Sequence, residues 1–285
     1  METKLTLNDV SVTISPDHPF VVIGERINPT RRKKLAETMN AGDFSIVQKD
    51  ARSQVDAGAQ ILDINAGIPG ADESVLLRGA AQAVLETVQT PLCFDSANPD
   101  ALAAALAEYP GKALINSTTA EEKMMEKVLP IAKQYGAAVI GVITDENGIP
   151  ATPMDRLHVA EKLIKRGGDF GVPAEDIIID PLALTVSADH RQARITLDEI
   201  ELIGKELGVN MNLGASNVSF GLPDRKIVNV AFLALAISRG LTVAITDPTI
   251  PEIQTSLLAC DLLMGCDEYS GRWIKAFRAR EKAKL

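Results

Sequence analysis

The strongest constraint on this chain is an alternation, repeated eight times, between a short apolar run and a longer segment with helical spacing. The runs are nearly continuous in apolar character, which is typical of parallel strands covered on both faces. Eight strand–helix units predict an α/β protein built as a single (β/α)8 TIM barrel. The runs lie at residues 20–24, 60–64, 91–94, 113–115, 138–143, 177–179, 211–213 and 241–245.

Local signals indicate where the helices begin and end. Asn98 and Thr152 each precede a proline at a predicted first helical turn, and Thr196 with Glu199 three residues later has the pattern of a capping box. Residues 184–195 show no clear periodicity, which predicts a long loop after the sixth strand. Four glycines stand just before predicted strands, where a helix commonly ends in the left-handed conformation that glycine favours. They are Gly58, Gly136, Gly208 and Gly240.

A doubly wound open sheet is the alternative architecture, but its glycine-rich fingerprint is missing. Residues 24–29 follow the first run as GERINP, without GxGxxG, and the chain has no GxxxxGK[ST] loop. A length of 285 residues suits one barrel. We therefore expect a single domain over 1–285, with an N-terminal hairpin in 1–18 that closes the barrel and a C-terminal helix in 265–285.

Composition and cysteine usage narrow the class of protein. The net charge is −9 and aromatic residues make up 4%, so a nucleic-acid-binding surface is not predicted. Cys93, Cys260 and Cys266 include no CxxC pair, which favours a reduced cytoplasmic protein. We expect no signal peptide, and the longest uncharged apolar stretch, 227–238, is too short to span a membrane.

Polar residues stand at the end of every predicted strand, at intervals of about 32 residues, the length of one βα unit. In a barrel these ends converge on the C-terminal mouth, where barrel enzymes hold their active sites. Helix caps and turns also use such residues, and Asn98 and Asp72 are interpreted as caps. The predicted ring at the mouth includes Glu25, Asp63, Asn65, Asp95, Asn116, Asp180, Ser216 and Asn217.

The ring contains neither the residues of a metal site nor an obvious nucleophile. His18, His158 and His190 lack metal-ligand spacing, and Cys93 lies inside a predicted strand, where packing is the favoured interpretation. No GxSxG elbow is present. We therefore predict no protein-bound metal. The ring instead favours a flat heterocycle, rich in hydrogen-bonding groups, that is oriented for attack by an external nucleophile.

Six short strings, in order along residues 20–247, resemble the pterin-binding barrel family. This family includes dihydropteroate synthase, the folate module of cobalamin-dependent methionine synthase and methyltetrahydrofolate:corrinoid-protein methyltransferases. The resemblance implies a barrel like that of dihydropteroate synthase. The strings begin at Ile23, Gly58, Phe94, Ile115, Ile179 and Gly214 and read IGERIN, GAQILDIN, FDS, INS, IDP and GASNVS.

Within the family, the chain is most similar to the free-standing corrinoid-linked methyltransferases. Asp180 and Pro181 continue as Leu-Ala-Leu, without the glycine-rich, lysine-containing stretch of the synthases. The resemblance implies methyl transfer between N5 of tetrahydrofolate and the cobalt of a corrinoid (cobalamin) carried by a partner protein. It further implies a place in anaerobic one-carbon or methyl-ether demethylation pathways, and assembly as a homodimer.

The resemblance also implies roles for individual residues. Asp95, Asn116 and Asp180 match residues that hydrogen-bond the pterin ring, whose amino-pyrimidine edge presents paired N–H donors. Asn217 matches the asparagine that reaches the methyl-bearing N5, and with Asp180 it would stabilise the transition state. The resemblance also places Asp63, Asn65 and Ser216 around the same folate-binding cavity.

Two alternatives to the methyltransferase remain open, a dihydropteroate synthase and a folate- or pterin-binding protein without catalysis. The choice between folate and another tetrahydropterin is also open. Arg26 and the basic residues 31–34 follow the first strand. They are interpreted either as a solvated loop or as a cluster that attracts the folate glutamate tail or an acidic corrinoid protein.

Overall fold

The computed structural model describes residues 1–282, which form nine β-strands and ten α-helices. The strands are β1 Thr3–Leu7, β2 Val10–Ile14, β3 Val21–Ile27, β4 Ile61–Asn65, β5 Leu92–Asp95, β6 Leu114–Thr119, β7 Ala138–Val142, β8 Ile177–Asp180 and β9 Val243–Thr246. The helices are α1 Lys33–Asn40, α2 Ser45–Asp56, α3 Glu73–Leu85, α4 Pro99–Leu106, α5 Glu122–Tyr135, α6 Pro153–Phe170, α7 Gln192–Leu207, α8 Arg225–Ser238, α9 Pro251–Leu263 and α10 Gly271–Lys282.

Seven of the strands form one parallel sheet in the order β8-β7-β6-β5-β4-β3-β9. The predicted run 211–213 lies between the two outer strands, bonded to β8 through Ile179 and to β9 through Ile245. It makes isolated bridges rather than a regular ladder, because only a few consecutive residues pair on each side. The segment nevertheless closes the sheet into a ring, and the predicted TIM-barrel fold is confirmed.

The barrel has two separate apolar layers, which explains why its strands are apolar on both faces. An outer layer packs the strands against the helices, with Leu62, Phe94 and Ile179 among its fully buried members. An inner cluster contains only residues of the strands and of the β1–β2 hairpin, so it fills the barrel interior. Its members are Leu5, Ile14, Val21, Ile23, Ile61, Cys93, Leu114, Ala138, Ile140, Ile178 and Val243.

The antiparallel β1–β2 hairpin covers the N-terminal end of the barrel. The Thr6 backbone N–H donates to the Lys112 carbonyl, just before β6, at 3.0 Å. On the other side, Asn210 Nδ2 donates to Thr3 Oγ1 at 2.9 Å and to the Ile14 carbonyl at 2.8 Å. Because Leu5 and Ile14 also enter the inner cluster, the hairpin both bonds to this end of the barrel and fills it.

Most of the predicted helix signals are confirmed. The side chains of Asp72, Asn98 and Thr152 accept hydrogen bonds from backbone N–H groups of the first turns of α3, α4 and α6. A positive φ, which glycine adopts without a steric penalty, occurs where a helix ends before a strand. It is found at Gly58, Gly136, Gly208 and Gly240.

The predicted start of α7 at Thr196 is wrong, and so is the end of the predicted loop 184–195. The helix begins four residues earlier, at Gln192, because the turn formed by Asp189 leads directly into it. Asp189 Oδ1 accepts from the Arg191 backbone N–H at 3.0 Å. Thr196 Oγ1, which was expected to cap the helix, instead donates to the Leu182 carbonyl at 3.3 Å and ties down the preceding loop.

The C-terminal helix predicted for 265–285 begins at Gly271 as α10, after a short 3-10 turn over Glu268–Ser270. Residues 283–285 of that prediction lie outside the described residues. No helix among residues 1–282 combines the length and apolar character needed to cross a membrane.

Candidate active site

The floor of the candidate site follows from the alternation of side chains along the strands. Side chains two residues apart point to the same face, so the residue two positions after an inner-cluster residue also points inward, nearer the mouth. These inward residues line a cavity of about 550 Å³ at the C-terminal ends of the strands. The cavity-lining residues at these positions are Glu25, Asp63, Asp95, Asn116, Val142, Asp180 and Ile245.

Amide side chains hold two of the floor carboxylates. Asn116 Nδ2 donates to Asp63 Oδ1 at 3.1 Å, and Asn65 Nδ2 donates to Asp95 Oδ2 at 3.0 Å. Asn65 does not line the cavity itself, so it contributes by fixing Asp95. Each of these bonds joins different strands, which means that the floor forms only when the barrel is assembled.

Both carboxyl oxygens of Asp180 accept hydrogen bonds, and only 7% of the surface of this residue is exposed. Its Oδ1 accepts from the Leu182 backbone N–H at 2.8 Å, and its Oδ2 accepts from Asn212 Nδ2 at 2.7 Å. Asn212 is fully buried, and its own Oδ1 has no hydrogen-bond partner. Asn212 was not among the predicted site residues, although an asparagine inside the otherwise apolar run 211–213 was an available signal.

Burial raises the pKa of each of these carboxyl groups, because it disfavours their charged form. It raises the pKa of Asp180 to about 6 and that of Glu25 to about 7, in the second case against the hydrogen bond from Ser216. Burial, and next the charge of Asp95, holds the pKa of Asp63 well above its usual range. Burial also raises the pKa of Asp95. Groups whose charge is disfavoured by burial would gain from a ligand that brings N–H donors to them.

Ser216 and Asn217 lie on the 3-10 turn Ala215–Ser219, which follows the segment that closes the barrel. Ser216 Oγ donates to Glu25 Oε1 at 2.9 Å. Asn217 lines the cavity but is exposed, unlike the buried carboxylates of the floor. Its Nδ2 lies 3.0 Å from where a Cβ on Gly214 would stand, so glycine permits the amide to fold back over the turn. Glu25 was recognised as a strand-end residue but carried no predicted role, although its spacing from Ile23 matches the other floor residues.

Arginines surround the mouth of the cavity, and they differ in their partners. Arg26 Nη1 lies 3.2 Å from Asp247 Oδ2, and Arg32 Nη1 lies 2.6 Å from Asp50 Oδ2. Other guanidinium groups lie over the Phe220 ring, with carbon-to-centroid distances of 4.9 Å for Arg31 and 5.7 Å for Arg225. Of the basic cluster 31–34, only Arg31 and Arg32 line the cavity.

Five of the seven predicted site residues line this one cavity, and Asn65 and Ser216 are bonded to residues that do. The three histidines do not line it. Within residues 1–282, no group of three or more His, Cys, Asp and Glu side chains is arranged to hold a metal ion. Fold and cavity together define a (β/α)8 barrel protein with a site for a hydrogen-bonding small molecule at its C-terminal mouth.

Comparison with known proteins identifies the family. Residues 24–247 match the family of pterin-binding enzymes, and the chain belongs to that family. It is 31% identical over 268 residues to the methylcorrinoid:tetrahydrofolate methyltransferase of Eubacterium limosum, a match that covers 91% of this chain and 96% of that protein. The methionine synthase of Mycobacterium tuberculosis is 30% identical over 273 residues, which cover 89% of this chain and 23% of that enzyme.

Solved structures give the same fold at lower sequence identity. Dihydropteroate synthase of Xanthomonas albilineans with 4-aminobenzoic acid has a TM-score of 0.69 at 18% identity, covering 92% of this chain and 98% of that one. The Yersinia pestis enzyme with a pterine-sulfa conjugate has a TM-score of 0.68 at 15% identity, covering 92% and 100%. At these identities the likeness establishes the barrel architecture and nothing finer.

Proposed function

We propose that this protein transfers a methyl group between N5 of tetrahydrofolate and the cobalt of a corrinoid bound to a partner protein. The observation that carries the proposal is the convergence of Asp95, Asn116 and Asp180 on one cavity. They converge in a chain that resembles a methylcorrinoid:tetrahydrofolate methyltransferase along nearly its whole length. An anaerobic one-carbon or methyl-ether demethylation pathway is part of this proposal.

The cavity floor suits a pterin because its polar groups are hydrogen-bond acceptors at fixed positions. The amino-pyrimidine edge of a pterin presents paired N–H donors, which the carboxylates of Asp95 and Asp180 and the Asn116 amide oxygen would accept. A charge-assisted hydrogen bond in such a site contributes roughly 1.5–3 kcal/mol, enough to select the heterocycle. Asn212 would help indirectly, because its amide fixes the orientation of Asp180.

Asn217 is the residue we assign to the transfer step. When the methyl group leaves, the electron pair of its bond stays on N5, so the bond breaks readily only when N5 is protonated or accepts a hydrogen bond. The Asn217 amide can supply such a donor, and it would act more strongly on the transition state than on the ground state. Glu25 could supply a proton, because its pKa of about 7 leaves it partly protonated near neutrality and it is bonded to the neighbouring Ser216.

The placement of these groups suits a reaction with a cofactor carried by a second protein. Asp63 and Asp180 are buried at the floor, whereas Asn217 is exposed toward the mouth. A pterin held by its donor edge at the floor would leave N5 accessible from outside. The corrinoid would supply a cobalt that accepts or donates the methyl group, and this chain would bind, orient and polarise the folate. Assembly as a homodimer and a cytoplasmic location stay predictions.

The proposal is tested by mixing the protein with methyltetrahydrofolate and Co(I) cobalamin and following the corrinoid absorbance, first with free cobalamin and then with a corrinoid protein. We expect a protein-dependent spectral change with at least the corrinoid protein. Binding of methyltetrahydrofolate without a spectral change in either mixture would instead favour a folate-binding protein. Formation of dihydropteroate from a pterin pyrophosphate and aminobenzoate would favour the synthase, for which the arginines at the mouth offer an anion site.

A further inference from the structure

Two arginines at the cavity mouth have guanidinium groups that form no direct ion pair within residues 1–282, although the charge of Arg225 lowers the pKa of Glu25 from a distance. Arg26 and Arg32 are paired with Asp247 and Asp50. By contrast, Arg31 and Arg225 make no ion pair with any carboxylate among residues 1–282. Both line the cavity, so their charge faces whatever enters the mouth.

These two cationic groups are held in place. Phe220, which is 45% exposed, lies beneath both guanidinium groups, and a cation over an aromatic face is attracted to the ring. Arg225 is further fixed by hydrogen bonds from Nε to Ser219 Oγ at 3.0 Å and from Nη2 to the Ser216 carbonyl at 2.6 Å. A guanidinium carries five N–H donors, so Arg225 keeps donors for an anion after these bonds. A pre-organised guanidinium suits carboxylate recognition.

The cavity is therefore polarised from floor to mouth. Its floor holds the buried carboxyl groups of Asp63 and Asp180 and the half-buried one of Asp95. Its mouth holds the cations of Arg31 and Arg225, which make no direct ion pair within the described part of the chain. The complementary ligand has a ring rich in N–H donors at one end and carboxylates at the other. Tetrahydrofolate has this polarity, because its pterin is followed by an aminobenzoyl group and one or more glutamates.

We propose that Arg31 and Arg225, held over Phe220, form a subsite for the anionic oligo-γ-glutamyl tail of the folate. The subsite makes the protein selective for folates with several glutamates over the monoglutamate form. This inference rests on the proposed function, since it takes the ligand of the cavity to be a folate. In the rest of the cluster 31–34, Arg32 is paired with Asp50, and Lys33 and Lys34 are solvent-facing and lie outside the cavity.

The test measures the dissociation constants of methyltetrahydrofolate with one and with three glutamates by titration calorimetry, without any corrinoid. For the unmodified protein we expect about tenfold tighter binding of the triglutamate, as two partly exposed ion pairs would give. In the double variant R31Q/R225Q we expect this ratio to fall to about twofold or less. The matched control, K33Q/K34Q, removes the same charge beside the cavity and is expected to keep the ratio.

A ratio near one in the unmodified protein would overturn the inference, as would an equal loss of the ratio in the lysine control. An unchanged ratio in R31Q/R225Q, with slower transfer only to a corrinoid protein, would overturn it in favour of a protein contact. Should R31Q/R225Q not fold, raising NaCl from about 20 to about 500 mM decides the matter in the unmodified protein, because screening must reduce an electrostatic ratio. If neither folate bound, the proposed function itself would be contradicted. The experiment therefore distinguishes failure of the glutamate subsite from failure of the proposed function.

Discussion

The two ends of the barrel use their buried polar side chains differently. At the N-terminal end these side chains are bonded to other parts of the protein. At the mouth, carboxyl groups that line the cavity have oxygen atoms that can still accept hydrogen bonds from a ligand. Asn210 bonds the hairpin at 2.8 and 2.9 Å, and Lys112 Nζ lies 2.6 Å from Asp176 Oδ2. At the mouth, burial raises the pKa of Glu25 and Asp180 instead. Changes at the N-terminal end should therefore affect stability, and changes at the mouth should affect ligand binding and catalysis.

The sharpest test of this comparison is Asn217→Ala at the mouth. We expect methyl transfer to fall by about 100-fold or more, because a donor aimed at developing charge is lost, while the affinity for folate changes by only about threefold. Single-turnover transfer and folate titration separate the two effects. Asn147→Ala, at an exposed position in the loop after β7 and outside the cavity, serves as the control. Unchanged turnover in the Asn217 variant would remove Asn217 from the transfer step.

Asp180→Asn should weaken folate binding by about 10- to 100-fold, because a charge-assisted hydrogen bond to the ring is lost. Stability should be kept, since the Asn212 amide can rotate so that its unpartnered Oδ1 accepts from the new amide. Asp176→Asn, at the opposite end, is the matched change and should lower the melting temperature without altering folate affinity. Equal effects of the two substitutions on binding would contradict the functional division between the two ends.

Asn210→Ala tests the N-terminal end of the barrel directly. We expect the free energy of unfolding to fall by about 1–3 kcal/mol, because Asn210 is only 2% exposed and its loss leaves the Ile14 carbonyl and Thr3 without their donor. Chemical denaturation followed by circular dichroism gives this value. Folate affinity and turnover per folded molecule should be unchanged, and a drop in either would show that the hairpin also shapes the mouth.

Glu25→Gln should produce a pH-dependent gain in stability of the ligand-free protein. The folded pKa of Glu25 is about 7 against an ordinary 4.5, so folding favours its protonated form. That contribution is fully present below pH 4.5 and is lost as the pH rises through 7, whereas glutamine does not lose it. The variant should therefore exceed the unmodified protein by up to about 3 kcal/mol at pH 8 and converge with it below pH 4.5. A difference in unfolding free energy that is constant with pH would contradict this assignment.

Much of the candidate site could be predicted because it follows from a local rule. Five of the barrel strands place an apolar residue inward and a polar one two positions later, as Cys93 and Asp95 do on β5 and Ile178 and Asp180 do on β8. The hydrogen bond from Asn212 to Asp180 could not be predicted, because the two residues lie 32 positions apart. Strand alternation carries no information about such pairs.

The sequence by itself determined the order of strands and helices, the caps at Asp72 and Asn98 and the inward row of polar residues, since these signals depend on neighbours a few positions apart. Only the tertiary structure decided how the segment 211–214 closes the barrel and why α7 begins before Thr196. It also decided that Arg32 is neutralised by Asp50 while Arg31 beside it is not. Two adjacent arginines look alike in a sequence. Only Arg32 is neutralised, because folding brings the Asp50 carboxylate of α2 next to it and not next to Arg31.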